Sequence, residues 1–110
     1  MEYKIQEKLN KIQNILVDHK YPSGRVSYIV KAPNTPEHIK FRYYANILSG
    51  NAVDSVGLEY VTKIDSDYVG FKDIFKVKMA SLKNTHPQIQ SHVDLFLELI
   101  SLNPQKLIFE

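Results

Sequence analysis

Apolar and polar positions alternate along this chain in two rhythms, and the rhythm sets the element each stretch predicts. Ile5, Leu9, Ile12 and Leu16 are spaced four, three and four, which places them on one narrow stripe of a helix over about residues 2–19. Tyr21-Pro22-Ser23-Gly24 stops that helix. Arg25 to Lys31 is short and rich in β-branched and aromatic residues (Val26, Tyr28, Ile29, Val30), which predicts a strand. Thr35-Pro36 supplies an N-cap hydroxyl and a first-turn proline for a second helix that runs to Leu48 and stops at Gly50. Its apolar arc, with Ile39, Tyr43 and Ile47 at its centre and Phe41, Tyr44 and Leu48 beside them, is broad enough to make it the central helix.

In residues 51–64, Leu58, Tyr60, Thr62 and Ile64 alternate with Glu59, Val61 and Lys63 and predict a half-buried strand. Val53, Val56, Tyr60 and Ile64 fit a helix as well. Asp65 or Ser66 caps a third predicted helix that ends at Lys83 and carries Phe71, Phe75 and Leu82 on its core face. Asn84-Thr85-His86-Pro87 restarts the chain into a fourth helix to Leu102, with Ile89, Val93, Phe96, Leu97 and Ile100 as its buried face. So short a turn implies an antiparallel pair of helices. Leu107-Ile108-Phe109 is apolar enough to add a closing strand or cover a core edge. The expected order is α-β-α-β-α-α, an α+β fold in which helix predominates, within one domain spanning residues 1–110; an all-α bundle is the alternative.

Composition is that of a globular chain, with 44% hydrophobic and 24% charged residues and twelve aromatic rings contributed by seven Tyr and five Phe. Cysteine is absent, which removes disulfides and thiolate metal sites. No Asn-x-Ser/Thr acceptor occurs, since Asn84 is followed by Thr85 and then His86. The opening residues carry no apolar run before a cleavage site, and the most apolar stretch, Val93 to Leu102, is broken by Asp94 and Glu98 and is too short for a bilayer. A cytoplasmic location is the expectation. The net charge of +2 is uneven: residues 1–50 hold eight Lys/Arg against four Asp/Glu, residues 51–110 six against eight. That balance is a weak attraction for phosphate, well short of a dedicated DNA-binding arm.

Motifs for chemistry are missing. Asp65-Ser66-Asp67-Tyr68-Val69-Gly70 has three positions of a calcium loop, but Val69 stands at the fifth and Lys76 at the twelfth, where oxygen ligands are required. The acidic pair is better read as a helix cap. His19, His38, His86 and His92 show no metal-binding spacing, and the four Gly, at 24, 50, 57 and 70, stand singly beside predicted boundaries without forming a phosphate cradle. No catalytic residue, cofactor or metal ligand is assigned.

What remains is surface. Lys4, Lys8 and Lys11 share a face of the first helix; His38, Arg42 and Asn46 are four apart on the second, near Lys40; Lys72, Lys76 and Lys83 align on the third; Arg25 and Lys31 bracket the strand holding Tyr28. Arg25, Tyr28, Lys31, His38, Lys40, Arg42, Asn46, Lys72 and Lys76 form the candidate binding surface. The expected function is a small non-enzymatic binding or regulatory protein of inhibitor, immunity or adaptor type, working by protein–protein contact. Nucleic-acid binding through the basic faces and tyrosines is the alternative. The narrow Ile5/Leu9/Ile12/Leu16 seam also allows pairing with a second copy as a homodimer.

Overall fold

A computed structural model describes residues 2–49, 52–80 and 87–110. In chain order the elements are α1 (Glu2–Asp18), β1 (Gly24–Lys31), β2 (Ile39–Ile47), β3 (Val53–Ile64), β4 (Asp67–Lys78), α2 (Pro87–Leu102), a 3₁₀ turn (Pro104–Lys106) and β5 (Ile108–Phe109). The five strands form one sheet in the order β4-β3-β2-β1-β5, antiparallel throughout.

Strand, not helix, therefore dominates, and neither the helix-predominant order nor the all-α bundle survives. The predicted second helix is β2 and the third is β4. In β2 the positions that suggested a helix, Ile39, Tyr43 and Ile47, are four apart, and four is also a multiple of the strand period of two. Phe41 and Ala45 complete the alternation and face the core with them. Burial of one whole sheet face makes the strand the stable choice for so aromatic a segment. In β4 the alternation is hidden by two bulges. Leu58 pairs with Phe75 but Glu59 with Asp73, and Tyr60 pairs with Lys72 but Val61 with Gly70, so Ile74 and Phe71 are the extra residues. Asp65-Ser66 is the two-residue turn between β3 and β4, with Asp65 at φ 56°, and not a helix cap. The pairing of helices three and four falls with it. Gly50, Leu82, Lys83 and the Asn84-Thr85-His86 turn lie outside the described residues.

Both helices share one core with one face of the sheet. Ile5, Leu9, Ile12 and Leu16 of α1 and Val93, Phe96 and Ile100 of α2 are buried against Val26, Tyr28, Tyr43, Ala45, Val56, Leu58, Phe75 and Val77. Each such aliphatic side chain contributes about 1.5–3 kcal/mol by leaving water. Tyr43 stacks on Phe96 with ring centroids 5.5 Å apart, fixing α2 over the middle of the sheet. Lys8 and Asp94 form an ion pair between the helices, and Gln13 Oε1 accepts a 3.0 Å hydrogen bond from the Val53 amide at the start of β3. The α1 seam is thus consumed inside its own fold and is not available for a homodimer.

Leu107 is buried and leads β5 onto the free edge of β1. The opposite edge, β4, has no neighbouring strand among the described residues, and its two bulges and lysines make it a poor template for further pairing.

Candidate functional site

Cross-strand partners point to the same face of a sheet, so the register sorts every side chain. The rows Val26/Ala45/Val56/Val77 and Tyr28/Tyr43/Leu58/Phe75 face the helices. The intervening rows, Arg25/Asn46/Ser55/Lys78, Ser27/Tyr44/Gly57/Lys76, Ile29/Arg42/Glu59/Asp73 and Lys31/Lys40/Val61/Gly70, face outward.

That outward face is polar yet largely closed to water at its centre. Arg42 is only 6% exposed and Glu59 8%. Arg42 Nε donates to Glu59 Oε2 at 2.9 Å, and its Nη1 donates to Glu110 Oε2 at 2.7 Å and to the Tyr68 carbonyl at 3.4 Å. Arg25 reaches the same Glu59 oxygen at 3.4 Å, donates to Asn46 Oδ1 at 3.0 Å, and lies over the Tyr44 ring at 4.1 Å from its centroid. Asn46 in turn donates to Ser55 Oγ, and Ser27 Oγ bonds Glu110. Burial raises the Tyr44 hydroxyl above its ordinary range, opposed in part by the Arg25 charge.

Two glycines make this packing possible. A Cβ on Gly57 would sit 2.3 Å from the Tyr44 ring, and one on Gly70 would collide with the Glu59 carboxylate. Both are mid-strand positions that let a neighbouring side chain lie flat, and neither is a turn. Among the described glycines, Gly24, with φ 138° at the start of β1, has a backbone conformation that other residues rarely adopt.

The turn end of the β3–β4 ribbon meets this face, where the Tyr68 carbonyl accepts from Arg42. A groove of about 360 Å³ results. Ser66, Asp67 and Tyr68 form one wall, Ile108, Phe109 and Glu110 the other, and Ile29 and Arg42 the floor. Lys63 flanks it, its Nζ 5.7 Å from the Tyr68 ring centroid.

Of the residues singled out in the sequence, Arg25, Lys31, Lys40, Arg42, Asn46 and Lys76 come together on the outward face. Tyr28 does not: it faces the helices and is buried in the core, because its register row is an inward one. His38 lies exposed just ahead of β2, where its carbonyl accepts from Thr62 Oγ1, and Lys72 is exposed on β4 opposite Tyr60. Arg42 is neutralised within the fold, so the accessible cations are half-exposed Arg25 and the lysines at 31, 40, 63, 76 and 78. Glu59, Asp67, Asp73 and Glu110 are the carboxylates among them.

A second polar pair was not singled out in the sequence. His92 of α2 and Tyr43 of β2 meet under the sheet, Tyr43 Oη 2.8 Å from His92 Nδ1. Burial lowers the His92 pKa and pushes Tyr43 up to about 12. The available signal was the position of His92 one turn before Phe96 on the apolar face of its helix. Among the described residues no cluster of three or more His, Asp or Glu is arranged to hold a metal ion, and no helix is long and apolar enough to cross a membrane. No protein-family model, curated protein or solved structure matches this chain.

Proposed function

We propose that this domain is a non-enzymatic binding module, of inhibitor or adaptor type and cytoplasmic, that works by laying the outward face of its sheet against an acidic surface of another protein. The observation that carries this reading is the excess of accessible Lys and Arg over carboxylates on that face. It surrounds a groove walled by Tyr68 and Phe109. Arginine and tyrosine on a rigid platform are the composition of interface hot spots, and a predominantly cationic rim steers an oppositely charged partner. The buried Arg42–Glu59 pair, tied to Glu110 at its edge, holds the platform in one shape, which lowers the ordering cost of association.

The test compares affinity capture by the native domain with capture by the Lys40→Glu/Lys76→Glu variant, using Leu95→Ser on the far side as control. Capture of a stoichiometric protein that is lost in the double variant and kept in Leu95→Ser supports the proposal; identical capture by all three refutes it. The same charge excess favours a second reading, a nucleic-acid surface. Engagement of five lysines there would give a slope of log affinity against log salt of roughly −4. Mobility shifts with single- and double-stranded probes at low salt decide between the two readings.

A further inference from the structure

The core pair of Tyr43 and His92 is reached from outside through a cavity on the other side of the sheet from the basic face. It opens between β4 and α2, encloses about 200 Å³, and is lined by Ile74, Phe75, Gln88, Ile89 and His92. Three of these are hydrophobic and none is charged. An apolar cavity of about 150 Å³ already accepts a benzene ring, so this one has space for a ring and a small substituent.

The imidazole in its wall is held rigidly. Its ring is stacked on Phe75, with centroids 5.7 Å apart, and meets the edge of Phe41 at 6.2 Å. Its Nδ1 is occupied by the Tyr43 hydroxyl. Tyr43 is fully buried, and its hydroxyl makes no other hydrogen bond with the described residues. The arrangement that uses both protons has Tyr43 donating to Nδ1, which leaves the imidazole proton on Nε2. Nε2 makes no hydrogen bond with the described residues, and His92 is only partly buried and lines the cavity, so its N–H is available there.

We propose that the cavity between β4 and α2 is a binding site for a small neutral molecule with one apolar ring and one carbonyl group, whose oxygen accepts a hydrogen bond from His92 Nε2. Ile74, Phe75 and Ile89 supply the apolar contact. No charged residue lines it among the described residues, which selects against carboxylates and amines, since they would lose their hydration without a countercharge. Burial lowers the His92 pKa, which favours the uncharged ring whose Nδ1 accepts from Tyr43. The site is independent of the basic outward face, which lies across the sheet.

Acetophenone, ethylbenzene and benzoate are titrated into the purified domain and followed by two-dimensional NMR. Acetophenone is expected to perturb the resonances of Ile74, Phe75, Ile89 and His92, in the millimolar range ordinary for fragments of this size. It should bind about fivefold more tightly than ethylbenzene, the worth of one hydrogen bond, and more tightly than benzoate. His92→Phe should erase the preference of acetophenone over ethylbenzene while leaving the cavity. Ile74→Trp, a change at a bulge on the rim, should block both ligands without disturbing the rest of the spectrum, and it stands as the test should His92→Phe fail to fold. The proposal is overturned if no cavity resonance responds, if the three ligands bind alike, or if either variant binds acetophenone as the native domain does. No macromolecular partner is present, so none of these outcomes bears on the reading of the outward face.

Discussion

Replacing Arg42 with methionine is expected to be one of the most damaging single changes on the outward face, although it removes no core residue. The side chains of Arg42 and Glu59 are 7% and 11% exposed, so water cannot replace what either loses. Without Arg42, Glu59 keeps only the long 3.4 Å contact to Arg25, and Glu110 loses its 2.7 Å partner. Removing one member of a buried ion pair leaves an uncompensated charge, and the expected cost is about 3 kcal/mol. Glu59→Met should cost less, about 1.5 kcal/mol, because Arg42 retains Glu110 and the Tyr68 carbonyl. The double variant removes both members of the buried pair and leaves only the partly exposed Glu110 without its cation, so it should cost about 2 kcal/mol and the two changes fail to add by about 2.5 kcal/mol. Urea denaturation of the four proteins measures this cycle. Heating gives a parallel reading, about 12 °C lower in Tm for Arg42→Met, at roughly 4 °C per kcal/mol for a domain of this size. Additivity within about 0.5 kcal/mol would mean that the two charges are solvated independently and that the network is not what holds the face.

Gly57→Ala places a methyl 2.3 Å from the Tyr44 ring and must displace it, together with the Arg25 guanidinium stacked above. A loss of about 1–3 kcal/mol is expected, and Tyr44→Ala in the same background should recover part of it; no loss in Gly57→Ala would show that the ring does not lie there. The Tyr43–His92 pair makes stability depend on pH at both ends. Tyr43 is protonated in the native state up to about pH 12 but only to pH 10 when unfolded, so stability is intact below pH 10 and falls by about 2.7 kcal/mol on rising to 12, at 1.36 kcal/mol per unit. Tyr43→Phe should lose that alkaline dependence selectively. His92 has a native pKa below 6.5, so its contribution is complete above pH 6.5 and lost as pH falls toward the lower native value. A denaturant midpoint unchanged on acidification through that window, or changed equally in His92→Phe, would contradict the assignment.

The two helices and the strands β1 and β3 were legible in the sequence; β2 and β4 were not. The stripe of α1 and the apolar face of α2 are spaced at three and four in a way no strand allows, so both helices follow from pattern alone. β2 and β4 failed for two different reasons. In β2 the diagnostic residues are four apart, a spacing common to both periods, and Phe41 and Ala45 decide it only if the alternate positions are weighed. In β4 the bulges at Phe71 and Ile74 shift the face twice within twelve residues, so a regular alternation is absent from the sequence although the strand is continuous. Bulges are set by long-range pairing, and no local window contains that information.

The site was partly legible for a related reason. His38, Arg42 and Asn46 were grouped because residues four apart share a helix face, and Arg42 and Asn46 stay grouped because they share a strand face too. The grouping was therefore right about neighbours within β2 and silent about neighbours across it. Which carboxylates meet Arg42 depends on the register of β3 and on β5, 17 and 68 residues away. That is what divides the cations of this face into two kinds. Arg42 is held by Glu59 and Glu110, whereas Lys31, Lys40 and Lys76 stand at the margin with no carboxylate partner among the described residues and remain able to meet an outside anion. A change at Arg42 should thus alter binding only by altering the fold, and a change at Lys40 should alter binding with the fold intact. Measuring stability and capture together on the two variants separates the platform from the contact, and equal effects on both quantities in both variants would erase the distinction.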